Sequence, residues 1–449
     1  MKIYIETLGC FKNQEDSERA AGLLLSDGLE VVQSTEEADI LMINTCGFIE
    51  DAKRESIDRI LQLAEKRQSG KKLIVTGCLA QRYGEELFEE LPEADAILGV
   101  NDYKKLPEIV EKLYAEIQTE PMEKSSRFLS VNGETSLLTG KRTALSSRHY
   151  AYLKIAEGCS NCCSYCAIPS IRGGYRSVAM DDLLREAGAL AAEGTKELIL
   201  IAQDVTAWGI DIYGKYALPD LLSFLCRIEG IEWIRLLYCY EERITDELIR
   251  VMSGEKKILH YIDIPLQHCS DAVLARMNRS STRKSMEKTL EKLRTAMPDI
   301  AIRTTLMTGF PGETEEDFAE LVDFVETQCF DRMGVFAFSE EEGTAAFTMD
   351  EKIDPEIAKE RRDSLMLRQM DISLRNNQAM IGKELLVFVE EQESPGVYIG
   401  RTYADAPEID ETTMFESSRH YKPGDFARVR ITDAMDYDII GVDLDGIPL

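Results

Sequence analysis

Short apolar runs that alternate with amphipathic stretches fill most of this chain, and they do so in two separate series. In the first, runs of strand length at residues 2–8, 39–44 and 72–76 are each followed by a segment of helical period, at 14–25, 49–67 and 85–91. In the second, the runs are 152–156, 198–202, 234–238, 262–266, 301–307 and 334–338, with amphipathic segments at 181–192, 221–228, 246–252, 283–296 and 315–327 between them. Strand, helix and strand in succession is the unit of parallel sheets, because a helical crossover returns the chain to the end where the first strand began. The first series predicts a doubly wound βα domain, and the second an open six-stranded βα barrel. In both architectures functional groups gather at the carboxyl ends of the strands.

At 449 residues the chain exceeds one core, and about three domains is the expectation. Residues 120–148 hold no sustained period and read as a linker. Residues 355–380 form one long charged helical segment with Gly382 at a capping position. The period then changes to two, with strands expected at 385–389, 397–402, 426–431 and 439–444, separated by turns rich in Pro, Gly and Asp. This predicts a small antiparallel barrel. The expected boundaries are therefore 1–119, a linker at 120–148, 149–377 and 378–449. No apolar window approaches the ~18 residues of a membrane span, and the first residues read as a strand rather than a signal peptide, so a cytoplasmic protein is expected.

Eleven cysteines in a reducing compartment read as metal ligands or as small buried hydrophobes. Cys10, Cys46 and Cys78 each end a strand of the first series, beside Gly9, Gly47 and Gly77. One such cysteine would be read as core packing; three at equivalent positions point to a shared ligand. The second group is local. Cys159, Cys163 and Cys166 give the spacing C-x-x-x-C-x-x-C just after the first strand of the second series. Soft thiolates select zinc, Cu(I) or an iron–sulfur cluster, and structural zinc usually closes its tetrahedron with a fourth Cys or His. Beyond Cys166 neither a further C-x-x-C nor a nearby His follows. Three ligands on a four-iron cluster leave one iron open for a small molecule. Cys162 would give the alternative register C-x-x-C-x-x-x-C, while Cys226, Cys239, Cys269 and Cys329 lie inside helix or strand patterns and are expected to pack. The two sets fall in different predicted domains, so independent assembly of their metal centres is expected.

The formal charge is −29, from 52 Lys plus Arg against 81 Asp plus Glu, which disfavours a polyanionic partner. Residues 378–449 carry 6 Lys plus Arg against 15 Asp plus Glu, and an acidic module seeks a basic partner. Asp405, Glu408 and Asp410 are the candidate recognition charges.

Four segments carry a family resemblance along nearly the whole chain: Leu8-Gly9-Cys10-Phe11-Lys12-Asn13, Asn44-Thr45-Cys46-Gly47-Phe48-Ile49, Ile201-Ala202-Gln203-Asp204, and residues 400–410. With the three-cysteine loop they resemble the radical S-adenosylmethionine (SAM) methylthiotransferases, which join an N-terminal cysteine domain to a radical SAM barrel and a C-terminal TRAM barrel. Within that family the segments look like the branch acting on small-subunit ribosomal protein S-twelve. The tRNA-modifying branch would show Gly-Cys-Gln-Met-Asn at the first cysteine and Gly-Gln-Asn after the second barrel strand, and neither is present. Phe11 and Cys162 depart from the branch's usual residues, Pro and a polar or basic residue respectively.

The resemblance implies a 4Fe-4S cluster on Cys159, Cys163 and Cys166 that cleaves SAM, and an auxiliary 4Fe-4S cluster on Cys10, Cys46 and Cys78 that supplies sulfur. A second SAM would provide the methyl group. The product would be β-methylthio-aspartate on S-twelve, with an external donor such as flavodoxin or ferredoxin delivering electrons. Gln203, Gln267 and Gly309 are implied SAM contacts, with Asp204 and residues 310–313 near them. The turn at 309–312 equally suits the start of a helix capped by Thr314. Arg172 and Arg176 would either touch substrate or hold the cluster loop.

Overall fold

The computed structural model describes all residues except 27, 68–69, 119–125, 136, 141, 146–148 and 447–449. It divides into two compact units: residues 1–147, 156–178 and 339–347 form the first, and residues 148–155, 179–338 and 348–449 the second.

The first unit begins with β1 (Lys2–Thr7), α1 (Phe11–Ser26), β2 (Glu30–Val32), β3 (Ile40–Thr45), α2 (Glu50–Lys66), β4 (Lys72–Gly77), α3 (Cys78–Glu90), β5 (Ala96–Gly99), α4 (Leu106–Gln118) and β6 (Phe128–Ser130). Its sheet is ordered β2-β1-β3-β4-β5-β6, and every pairing is parallel. β6 comes from the stretch that lacks a period in the sequence, and three residues on an edge are too few to display one. Residues 120–125, 136, 141 and 146–148 of that stretch lie outside the described residues. Apolar groups cover both faces of the sheet. Ile60, Leu63, Leu79 and Leu87 pack with Leu41, Ile43 and Val75 on one, and Ala20, Leu24, Leu106 and Leu113 pack with Ile3, Met42 and Ile74 on the other. Alternate residues of β3 and β4 thus enter opposite cores, as the two-residue period of a strand requires.

The second unit opens with β7 (Tyr150–Lys154). The intervening 156–178 stretch of the first unit contains β8 (Ala156–Glu157), α5 (Ile168–Arg172) and β9 (Arg176–Ser177). The chain continues through α6 (Met180–Ala192), β10 (Glu197–Ile201), α7 (Ile210–Tyr213), α8 (Leu218–Leu225), β11 (Trp233–Leu236), α9 (Asp246–Gly254), β12 (Ile258–Gln267), α10 (Asp271–Arg276), α11 (Arg283–Ala296), β13 (Ala301–Thr308), α12 (Glu315–Gln328), β14 (Arg332–Ala337) and α13 (Pro355–Gln378). The sheet runs β7-β10-β11-β12-β13-β14, parallel throughout.

β15 (Glu384–Ser394), β16 (Val397–Arg401), β17 (Thr413–Glu416), β18 (Phe426–Ala434) and β19 (Ile439–Asp443) close the C-terminal barrel in the order β15-β16-β17-β19-β18. The barrel is not antiparallel throughout: β17 pairs with β19 in parallel. β17, a fifth strand, is absent from the sequence reading because its four residues, Thr-Met-Phe-Glu, follow an acidic stretch without a turn dipeptide.

Within the second unit this barrel is fastened to the amino ends of the six-stranded sheet. Trp233, the first residue of β11, packs on Phe388 and Phe426 with ring centroids 5.4 and 5.1 Å apart. Glu197, the first residue of β10, is fully buried and meets Arg235 and Arg401, each at 2.7 Å. Arg332 at the start of β14 binds Asp405 at 2.6 Å and Glu411 at 2.9 Å, and Arg303 and Tyr261 bind Asp410 at 3.2 and 2.6 Å. Tyr150 donates to Glu408 at 2.9 Å. Asp405 and Asp410 are therefore structural carboxylates, whereas Glu408 is exposed and accepts from Tyr150 at the surface. An isolated buried guanidinium is unstable without an anion, and these segments supply one to each.

Candidate functional site

Cys10, Cys46 and Cys78 follow β1, β3 and β4, which lie side by side. Pairing of Thr7 with Asn44 and of Thr45 with Gly77 makes these strands end level. The strand order reverses at β1 and β3, where a doubly wound sheet opens a crevice beyond its carboxyl ends. Asn13, in the first turn of α1, ties the three ends together: Nδ2 donates to the carbonyls of Leu8 (2.9 Å) and Thr45 (3.1 Å), while Oδ1 accepts from Cys78 Sγ (3.6 Å). Ser56 closes the backbone of Cys46, accepting from its N–H at 3.1 Å and donating to its carbonyl at 3.0 Å. Gly9 has φ +88°, and a Cβ there would stand 2.7 Å from Cys46 Cβ and 3.0 Å from its sulfur. A side chain would fill the space beside the thiol.

The local set lies in the same compact unit. β8 and β9 pair antiparallel and pinch the loop between them. The Cys159 N–H donates to the Gly173 carbonyl at 3.0 Å, the Cys166 N–H to the Cys163 carbonyl at 3.1 Å, and the Asn161 N–H to Cys159 Sγ at 3.4 Å. Cys159 and Cys163 are buried and Cys166 is half-buried. Cys162 is exposed, its Sγ 3.8 Å from the Ser160 carbonyl. Burial, with the neighbouring Cys163 and Cys159 acting in the same sense, pushes Cys166 up to about 12. Burial, together with Cys78 and Cys10, likewise takes Cys46 up to about 12. Thiols of this kind become ligands when a cation offsets the buried charge.

One such cation is built in. Arg172, the last residue of α5, is 2% exposed. Its guanidinium lies 3.3 Å from Cys78 Sγ, 2.8 Å from Asn13 Oδ1, 2.9 Å from Asp16 and 3.1 Å from Glu157. It opposes the upward effect of burial on Cys78. Arg176 donates to the carbonyls of Gly174 (2.6 Å) and Arg172 (3.0 Å), which holds the loop. Both arginines and Asn13 fall in segments that the sequence marks, but the role of Asn13 and the part of Asp16 and Glu157 do not show there, since nothing local marks residues so far apart as neighbours.

Among the described residues, no three His, Cys, Asp or Glu side chains gather around a point suited to one metal ion. Sulfurs sharing one tetrahedral zinc lie about 3.8 Å apart, whereas a four-iron cluster takes each thiolate at a separate corner. At Cys10, Cys46 and Cys78, three thiols with room opened at Gly9 and positive charge at Arg172 suit such a cluster.

In the second unit Gln203, Gln267 and Gly309 lie at the carboxyl ends of β10, β12 and β13. Gln203 and Gln267 are half-buried, and Gln267 has φ +71°. Asp204 accepts from Thr206 (2.6 Å), the Ala207 N–H (3.1 Å) and Arg243 (2.5 Å), so it shapes its own loop. Gly309 has φ +74°, and a Cβ would come 2.2 Å from Ala358 of α13. Glu313 accepts from the N–H groups of Gly309 and Phe310, and Thr314 and Asp317 form a capping box on α12. The turn thus has a structural reason for its residues. Burial pushes His268, next to Gln267, down to about 4. Cys239 and Cys269 are buried as expected, whereas Cys226 and Cys329 are half-buried at the C-caps of α8 and α12.

Residues 2–99 match the uncharacterized protein family UPF0004, 153–325 the radical SAM superfamily and 381–442 the TRAM domain. The chain is 47% identical to the ribosomal protein uS12 methylthiotransferase RimO of Thermoanaerobacter sp. (strain X514), over 97% of this chain and 98% of that protein. The chain belongs to the RimO methylthiotransferase family. A second RimO, from Lachnoclostridium phytofermentans, is also 47% identical, over 98% of this chain and 99% of its own length. This RimO family member shares its fold with the radical SAM methyltransferase TsrM of Kitasatospora setae, solved with cobalamin and a 4Fe-4S cluster bound. The TM-score is 0.58 at 13% identity, covering 88% of this chain and 80% of that one. No helix among the described residues is long and apolar enough to cross a membrane.

Proposed function

We propose that the protein methylthiolates the β-carbon of an aspartate on ribosomal protein uS12, and that Cys10, Cys46 and Cys78 hold one 4Fe-4S cluster while Cys159, Cys163 and Cys166 hold another. The observation that carries this reading is that both three-cysteine sets lie in one compact unit of a RimO family chain. When bound, the clusters and SAM supply a 5′-deoxyadenosyl radical, the sulfur and the methyl group; an unactivated C–H bond requires a radical because no side-chain base removes that proton at neutral pH.

The chain's own groups do the rest. Asn13 fixes the relative position of the three strand ends, and Arg172 keeps positive charge against Cys78. Cys163 rather than Cys162 serves as the middle ligand of the loop, because it is buried with Cys159. Gln203, Gln267 and the backbone at Gly309 orient SAM at the carboxyl ends of the barrel strands. A flavodoxin or ferredoxin delivers electrons, and the reaction takes place in the cytoplasm, where ribosomal proteins are made.

Purified, anaerobically reconstituted protein incubated with SAM, a reductant and uS12 tests this directly. Mass spectrometry should find one methylthio group on an aspartate of uS12. An unmodified uS12 alongside methylthiolated tRNA would reject the protein substrate in favour of the family's other chemistry.

A further inference from the structure

Arg172 reaches both cysteine regions: it stands six residues after Cys166, at the end of the short helix that closes the loop, and its guanidinium lies against Cys78 at the end of β4. Asp16 and Glu157 neutralise its charge from two sides, one on α1 and one on β8. Cys78, Ala167 and Ile171 form a small buried apolar cluster beside it, so water is kept from the guanidinium and the sulfur alike. At such a site a fixed charge acts at low effective dielectric, where it is felt several times more strongly than at the surface.

We propose that Arg172 is a positioning residue that couples the two metal centres. It holds the Cys78 thiolate as a ligand and, through its charge, raises the reduction potential of the cluster on Cys10, Cys46 and Cys78. A cation beside a cluster ligand stabilises the reduced, more negative state. Asp16, which shares the guanidinium, acts in the opposite sense. The pair therefore sets how readily this cluster takes an electron relative to its neighbour. The inference rests on the cluster assignment above, and the test separates the two.

The measurement is a redox titration of the full, reconstituted protein followed by electron paramagnetic resonance. The signal belonging to the first cysteine set is the component lost in Cys46→Ala. Arg172→Gln should shift that component to lower potential by at least a tenfold change in the reduction equilibrium, which is 59 mV for one electron. Asp16→Asn should shift it upward, and Arg172→Lys should keep it within threefold of wild type. The opposite signs matter, because a merely structural residue would loosen the site in both variants. Loss of iron in folded Arg172→Gln, with iron kept in Arg172→Lys, also supports the proposal. If Arg172→Gln does not fold, as judged by circular dichroism, the upward shift in Asp16→Asn and the retained value in Arg172→Lys decide. An assigned component that moves in none of these variants, or in the same direction in Arg172→Gln and Asp16→Asn, overturns the inference while leaving the cluster assignment intact. If Cys46→Ala removes no component, the cluster assignment itself fails, and the inference with it.

Discussion

The two six-stranded parallel sheets of this protein reach different ends from the same βα unit. In the first, strand order doubles back at β1, helices cover both faces, and the carboxyl ends of β1, β3 and β4 each deliver a thiol. In the second, the strands follow one another in sequence order, so crossovers of one hand keep the helices on one side. Its carboxyl ends carry Gln203, Gln267 and Gly309, and its amino ends hold the C-terminal barrel through buried ion pairs. Order along the sheet decides whether a crevice opens at a reversal point or around the ring of strand ends.

Cysteine substitutions should have the largest effects and test the division of labour between the sets. Cys159→Ala should abolish reductive SAM cleavage and remove about half the iron, whereas Cys46→Ala should remove about half the iron and leave cleavage measurable without uS12. Loss of cleavage in Cys46→Ala with the loop cluster spectroscopically intact would break the comparison. Next in size is Asp410→Lys. It places a second cation beside Arg303 in a buried site and should destabilise the second unit by roughly 3–5 kcal/mol, seen as a lowered melting temperature; a variant of wild-type stability with slower uS12 modification would restore Asp410 as a recognition charge.

Gly9→Ala acts on the first sheet alone. Strain at positive φ and contact with Cys46 should cost about 1–3 kcal/mol and lower iron in the first set, while SAM cleavage per loop cluster is unchanged. On the second sheet, His268 is buried neutral. Its folded value of about 4 lies below the ordinary 6.5, so its stabilising contribution is complete above pH 6.5 and is lost as pH falls toward 4. Wild type should lose up to about 3 kcal/mol over that window, and His268→Gln should show a shallower decline in thermal melts. Equal acid slopes would mean that the ring is not held neutral. The smallest effect is expected for Cys162→Ala, which should retain full iron because the exposed thiol lies outside the buried set.

The sequence alone was enough to recognise both βα series, the cysteine spacing of the loop and the position of three cysteines at strand ends, because strand and helix periods and the C-x-x-x-C-x-x-C spacing are local properties. It did not reveal β2, β5, β6 or β17, which are too short to show a period and depend on pairing with a neighbouring strand. That Asp405 and Asp410 are structural is hidden from the sequence for a related reason: charge counting treats every carboxylate as solvated, and only tertiary packing shows which ones answer a buried arginine.

What the sequence by itself determined is therefore the kind of element each segment becomes and which residues carry soft-ligand chemistry. The order of strands in each sheet, and with it the level alignment of Cys10, Cys46 and Cys78, was decided by folding, since contacts between residues more than thirty apart depend on register and crossover. The same holds for Arg172. Its charge is plain in the chain, but its place between Asp16, Glu157 and the Cys78 sulfur exists only once α5 closes on the end of β4, because a buried guanidinium is stable only where separate segments bring their anions to it.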